Sequence, residues 1–213
     1  MSSVGADPPG KKGYHHGALH TALVEASIAL AREGGPDRVI LREAARAAGV
    51  SHSAAYRHFA DREALLAEVS RYARVELAAE MRRRVNRTND TRQRLQAVGT
   101  AYIDFALAQP GLFRTAFTSH PAAADDNRPP GSAAESQDTA QPFEILGQVL
   151  DEAEAAGLVD ARRRPGAEIA VWSAVHGLAC LLLDGPLPTT PAGVKFAMGQ
   201  VFDLIDRGLF ESA

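Results

Sequence analysis

Cysteine, long apolar runs and regular alternation are what this 213-residue sequence has least of. The single cysteine, Cys180, excludes an internal disulfide framework and a cysteine-rich zinc module. The longest apolar stretch, Ile169 to Leu183, is interrupted by Ser173, His176 and Gly177. It falls short of the ~20 residues that a membrane span needs. Apolar–polar alternation persists nowhere, so strands are not expected. Met1 to Gly13 is polar and rich in Gly and Pro, unlike the apolar core of a secretion leader. A formal charge of −3 excludes a strongly basic tail protein. There is no Walker sequence, no G-x-G-x-x-G and no H-E-x-x-H, which leaves common nucleotide and zinc-hydrolase chemistry without a motif. The expectation is a reduced, soluble, cytoplasmic protein with no cofactor.

What is present is helical. Hydrophobic residues make up 46% of the chain, enough for a sizeable core, and the length suits one ordinary domain or a small module on a larger one. Leu19, Leu23, Ala26 and Leu30 share one helix face after an arm ending near residue 13, with the helix expected from about Gly17. Gly34-Gly35-Pro36 stops it. Leu41 to Ala48 is a short second helix closed by Gly49, and Ser51 caps a third, expected over 51–58. Asp61 caps a fourth, running to about Val85. Further helices are expected around Leu95–Phe105, Leu112–Thr118, Phe143–Ala156, Ala167–Leu183 and from Pro191 to about Leu209. Residues 120–139 hold almost no large apolar side chain and read as a mobile loop. The fold expected is all-α with about nine helices, arranged as an arm (1–13), a head (14–70) and a larger body (71–213).

Charge divides along the same line. Residues 1–100 carry 16 Lys and Arg against 11 Asp and Glu, while residues 101–213 carry 7 against 15. Five of the seven histidines lie in the first sixty residues. A positive front joined to a negative back suits a polyanion-facing head on a body that stays off the polyanion. Leu41 to Leu66 supplies the matching motif. Two short helices joined at Gly49-Val50, with small Ala44, Ala45 and Ala48 for close approach and Val50 and Phe59 as apolar plugs, have helix-turn-helix spacing. Ser51, His52, Ser53, Tyr56, Arg57 and His58 present the groups that phosphates and base edges accept. Spacing alone is equally compatible with an αα-hairpin that never meets DNA.

The block from Gly13-Tyr14-His15-His16-Gly17 through Leu41-Arg42-Glu43-Ala44-Ala45, Ala48-Gly49-Val50-Ser51 and Tyr56-Arg57-His58-Phe59 to Arg62-Glu63-Ala64-Leu65-Leu66 resembles the DNA-binding domain of the tetracycline-repressor (TetR) family. Trp172 with His176-Gly177 resembles the signature of that family's WHG-domain subgroup. The resemblance implies a homodimeric, ligand-responsive transcriptional regulator, usually a repressor, that binds a palindromic operator. Two positions depart from the pattern. Ile40 stands where a capping, phosphate-contacting Thr is frequent, and Arg62 replaces Lys at the start of the fourth helix.

On this reading Tyr56 and His58 contact phosphate with Arg42 and Arg62 in support, Ser51, His52 and Ser53 read bases, and Arg57 belongs to the same DNA-binding set. Lys11, Lys12, His15 and His16 are either a DNA-reaching arm or a solvated tail. In the body, Tyr102, Phe105, Phe113, Phe117, Phe143, Trp172 and Met198 are candidates for a cavity lining, or plain core. His176, in the most apolar helix, needs either a hydrogen-bond partner or a ligand. The helices 167–183 and 192–209 are the expected dimer interface, with Cys180 buried in it. Ser173, His176 and Asp184 could be imagined as a catalytic triad, but no oxyanion-hole turn accompanies them. His15, His16 and His20 lack the neighbours of a metal site, so neither catalysis nor a metal is expected. The alternative function is a helical small-molecule-binding protein without specific DNA binding.

Overall fold

The computed structural model of the chain describes residues 12–118 and 141–210, with side chains from Gly17 onward. The expected loop at 120–139 lies outside the described residues. Among those described there are nine α-helices: α1 (Lys12–Gly34), α2 (Leu41–Ala47), α3 (His52–Ala55), α4 (Arg62–Val85), α5 (Thr91–Ala108), α6 (Pro110–Ala116), α7 (Pro142–Ala155), α8 (Ala167–Leu183) and α9 (Pro191–Leu209). One isolated bridge, Val159 to Phe210, ties the end of the chain to the loop after α7. No described helix is long and apolar enough to cross a membrane.

Capping explains most of the helix starts. Asp61 accepts from the Ala64 N–H at 2.8 Å and Asp90 from the Gln93 N–H at 2.8 Å. Thr190 does the same for the Gly193 N–H at 3.2 Å, each satisfying a donor that the first turn leaves open. Two expected boundaries move. The first helix begins at Lys12, not near Gly17, because Gly13 and Gly17 weaken helix propensity without removing a hydrogen bond. Pro110-Gly111 does more than stop α5: with only Gln109 between, Pro110 opens α6 at its first turn, where a missing N–H costs nothing.

α4 is the spine. Its 24 residues span about 36 Å, and its buried face runs from Leu65 and Leu66 through Leu77 to Val85. It packs on α1 at one end and on α5, α6 and α7 along the rest. A single continuous core therefore joins Leu23 of α1 to Ile103, Leu112 and Leu150 of the body, all essentially inaccessible.

Candidate nucleic-acid interface and body cavity

The helix-turn-helix is built from alanines. Ala44 and Ala45 of α2 and Ala54 and Ala55 of α3 are buried against each other and the core. Gly49 turns the chain between the helices with φ 69°, a region that side chains disfavour. Ser51 caps α3 through the Ala54 N–H at 3.2 Å. The third helix is shorter than expected: regular helix spans His52–Ala55, and Tyr56 to His58 form a tighter turn, with the Arg57 N–H bonding Ala54 O and the His58 N–H bonding Ala55 O. The reason is Phe59, which must turn into the core, where it is 4% exposed, before Asp61 can start α4.

That geometry leaves Arg42, Ser51, His52, Ser53, Tyr56 and Arg57 on the surface. The His52 and Tyr56 rings meet edge to face at 4.7 Å, so they form one exposed block. Ser51 Oγ is shared between its capping bond and Ser53 Oγ at 3.2 Å. His58 is half-buried beside His20, which stacks on Phe59 at 4.8 Å. Arg62 does not point outward as a phosphate contact should. It donates to Val39 O at 2.9 Å, Pro36 O at 2.7 Å and Glu63 Oε1 at 2.9 Å, clamping α4 to the turn before α2. Ile40 occupies the cap of α2 without a side-chain bond, as its chemistry requires.

The head is joined to the body through α6. Gly111 is buried against the end of α1: a Cβ there would fall on the Ala31 carbonyl oxygen, 2.9 Å from Arg32 O and 3.0 Å from Gly35 N. At the other end of α6, Ser70 of α4 donates to Ala116 O at 3.1 Å. Arg74 donates to the same oxygen at 3.1 Å, to Ser70 Oγ at 2.6 Å and to Gln141 Oε1 at 2.9 Å. Neither joint was legible in the sequence, since a glycine and an arginine each have many surface uses.

Between these joints and α8 lies an aromatic cluster. Phe113 of α6, Phe117 just after its last turn, Tyr102 of α5 and Trp172 and His176 of α8 are in ring contact, with centroids 5.1–6.1 Å apart where they touch. Phe143 of α7 joins through Trp172 at 5.8 Å. Trp172 Nε1 donates to Tyr102 Oη at 3.0 Å, and the same hydroxyl is hydrogen-bonded to His176 Nδ1 at 2.7 Å. The other ring nitrogen, Nε2, faces Cys180 Sγ at 3.7 Å. Burial lowers the pKa of His176 and raises that of Tyr102, both favouring the neutral chain. His176 is thus a half-buried histidine with a hydrogen-bond partner. The imagined triad fails on geometry: Nδ1 is occupied by Tyr102, and Asp184 pairs with Arg114. Of the expected pocket residues, Tyr102 and Trp172 line an adjoining cavity, whereas Phe113, Phe117 and His176 stay in the ring cluster outside its lining and Phe105 is buried core.

Removing the hub should be costly. Tyr102→Phe strands a Trp172 donor and a His176 ring nitrogen, and we expect a loss of about 2–3 kcal/mol in chemical denaturation. The same histidine predicts a pH dependence. Its folded pKa lies below the unfolded 6.5, so its stabilising contribution is complete above 6.5 and is lost as pH falls toward the lower folded value. Melting temperature should decline from about pH 7 to pH 5, with a shallower decline in His176→Gln.

A partly open cavity of about 30 Å³ adjoins the cluster, lined by apolar side chains including Tyr102, Phe143, Leu146, Trp172, Val175 and Phe202. It has room for about one or two waters. Gln96 donates to Asp206 Oδ2 at 3.4 Å at its margin. On the outer side of α8 and α9, Ile169, Leu181, Phe196 and Leu204 stand 48–70% exposed. Cys180 is exposed in the single chain, and burial raises its thiol pKa. Among the described residues no cluster of His, Cys, Asp and Glu is arranged to hold a metal ion.

Two family models match the chain: "Bacterial regulatory proteins, tetR family" over residues 23–69 and "Tetracyclin repressor-like, C-terminal domain" over residues 95–203. No curated protein matches it. Among solved structures, a protein of unknown function from Rhodococcus sp. RHA1 is 28% identical with a TM-score of 0.71, covering 94% of this chain and 100% of its own. A TetR family transcription regulator from Marinobacter aquaeolei VT8 is 19% identical with a TM-score of 0.60, covering 93% and 99%. The regulator PfmR from Thermus thermophilus is 23% identical with a TM-score of 0.57, covering 89% and 99%.

Proposed function

The chain belongs to the TetR family of bacterial regulatory proteins, and from that premise we propose that this DNA-binding transcription regulator is a homodimeric repressor released from a palindromic operator by a small, largely apolar effector. It is a regulator and not an enzyme. The observation that carries the finer reading is the exposed His52–Ser53–Tyr56–Arg57 block on a rigid alanine-packed support. His52 and Ser53, at the start of α3, are the base readers, since that end of a recognition helix points into the major groove. Tyr56, Arg57 and Arg42 hold phosphate, and His58, half-buried, reaches it only from the edge. Ser51 serves first as a cap and Arg62 as a clamp. Residues 14–70 act as the head and 71–213 as the body, with α4 shared between them.

The apolar outer face of α8 and α9 supports dimerisation, because four exposed large side chains on two adjacent helices are rarely left to water. Two-fold pairing would bury that face together with Cys180 and hold two heads at one spacing. Phe196→Glu should give a monomer in sedimentation, with operator binding lost in parallel. Effector response follows from α6, which carries Phe113 and Phe117 into the aromatic cluster and Gly111 and Ala116 to the head. A ligand that displaces those rings shifts α6, and with it α4, so binding at the two sites is coupled. Selection of duplexes from a random pool tests the reading: an inverted repeat is expected, and recovery of unrelated or asymmetric sequences overturns it.

A further inference from the structure

A second recess lies beside the inner cavity. Between α5 and α9 runs an open groove of about 590 Å³, lined by Leu107, Pro191, Val194, Met198, Gly199 and Phe202 among others. Phe202 lines both spaces. It is the wall between them, and it can sit there only because position 99 is glycine: a Cβ would come within 2.7 Å of its ring. The α5–α9 seam is otherwise crossed by the 3.4 Å Gln96–Asp206 hydrogen bond, and Phe202 packs against the core as a half-buried ring.

Charge orders the groove. Asp104, on its α5 side, is neutralised by Arg84 at 2.7 Å. Lys195 is exposed and has no ion pair among the described residues. Lys195, Met198, Phe202 and Ile205 follow one another along one stripe of α9, with about 15 Å from Lys195 to Ile205. A cation at the outer end, an apolar floor, one movable ring and an apolar cavity behind it make an arrangement for a molecule with an anionic head and an extended hydrocarbon tail.

We propose that Phe202 is a gate, and that the effector is an apolar-tailed carboxylate whose head lies at Lys195 and whose tail passes the displaced ring to reach Trp172. This rests on the ligand-responsive reading above and adds the route and the ligand class. With the gate open the joined space falls in the range of small-molecule sites.

Trp172 is the chain's only tryptophan and lines the inner cavity, so its fluorescence reports arrival of the tail. The probe is dodecanoate below its micellar concentration, with dodecanol and dodecyltrimethylammonium as head-group controls, titrated into the full chain. Saturable change with dodecanoate is expected, with weaker dodecanol and weakest cation binding. Phe202→Ala should tighten dodecanoate about tenfold if the open ring position is about one-tenth populated in the native chain. Phe202→Leu, which keeps an apolar filler, should act in the same direction and guards against a misfolded alanine variant. Lys195→Met should weaken dodecanoate about threefold, the worth of one exposed ion pair, and leave dodecanol unchanged.

Unchanged fluorescence in both the native chain and Phe202→Leu overturns the gate, and preference for the cationic probe overturns the ligand class. Operator retention measured in the same samples separates this from the parent reading. If dodecanoate reaches Trp172 and DNA binding stays constant, the site stands and ligand-controlled repression falls. If a compact aromatic releases DNA while dodecanoate never reaches Trp172, repression stands and the gate falls.

Discussion

A methyl group at position 111 should lower the melting temperature by roughly 6–12 °C, because α6 must back away from α1. The obstacle is main chain on three sides, the oxygens of Ala31 and Arg32 and the nitrogen of Gly35, and none can rotate aside as a side chain would. Overpacking of this kind costs about 3 kcal/mol, and in a chain of this length each kcal/mol is worth roughly 2–4 °C. Gly208→Ala is the control: in the last turns of α9, a Cβ there meets nothing within 4 Å. That variant should be neutral or gain up to about 0.5–1 kcal/mol from reduced chain entropy. Thermal unfolding of the two variants side by side checks both signs. A Gly111→Ala protein as stable as the native one would show that α6 does not seat the head on the body as described.

The other large effect is on DNA. Tyr56→Ala should weaken operator and unrelated duplex alike, by about tenfold per half-site and so about a hundredfold for a dimer on a palindrome. A phosphate contact carries no sequence information, hence the uniform weakening. Since tyrosine is uncharged, the slope of affinity against salt should stay constant. Arg57→Ala should instead flatten it by about 0.9 for each phosphate no longer neutralised, or about 2 for the dimer. His52→Ala and Ser53→Ala should change which duplex is preferred, by about 1–3 kcal/mol per discriminated base pair. Gel-shift titrations over a salt series distinguish these outcomes. Equal salt slopes for Tyr56→Ala and Arg57→Ala would remove Arg57 from the phosphate set.

These expectations draw unequally on sequence and structure. The run of small and apolar residues from Leu41 to Phe59 was legible because a helix-turn-helix needs them locally: Ala44, Ala45 and Phe59 are buried where spacing put them, with Ala48 and Val50 half-buried. The exposure of Tyr56 follows from the same local geometry. Arg62 was not legible. Its sequence neighbourhood suits a phosphate contact, and only the approach of Pro36 and Val39, over twenty residues earlier, takes its donors inward. Of the aromatic set, Tyr102, Phe143 and Trp172 line the inner cavity and Phe105, Phe113 and Phe117 do not, because helical periodicity says which face is apolar but not which neighbouring helix that face meets. Phe202 and Gly99 carried no signal at all, being an ordinary pair of helix residues until α9 is laid against α5.

Local rules, then, were enough for helix count, the DNA-facing module and the mostly apolar character of α8, since caps, glycine turns and periodicity act within a few residues. Everything that depends on contacts between distant segments was decided by packing: the hydrogen-bond chain from Trp172 through Tyr102 to His176, the seat of α6 at Gly111, and a phenylalanine shared by two cavity walls. A side chain's chemistry is written at its own position, whereas its partners are set by which backbones come within a few ångströms.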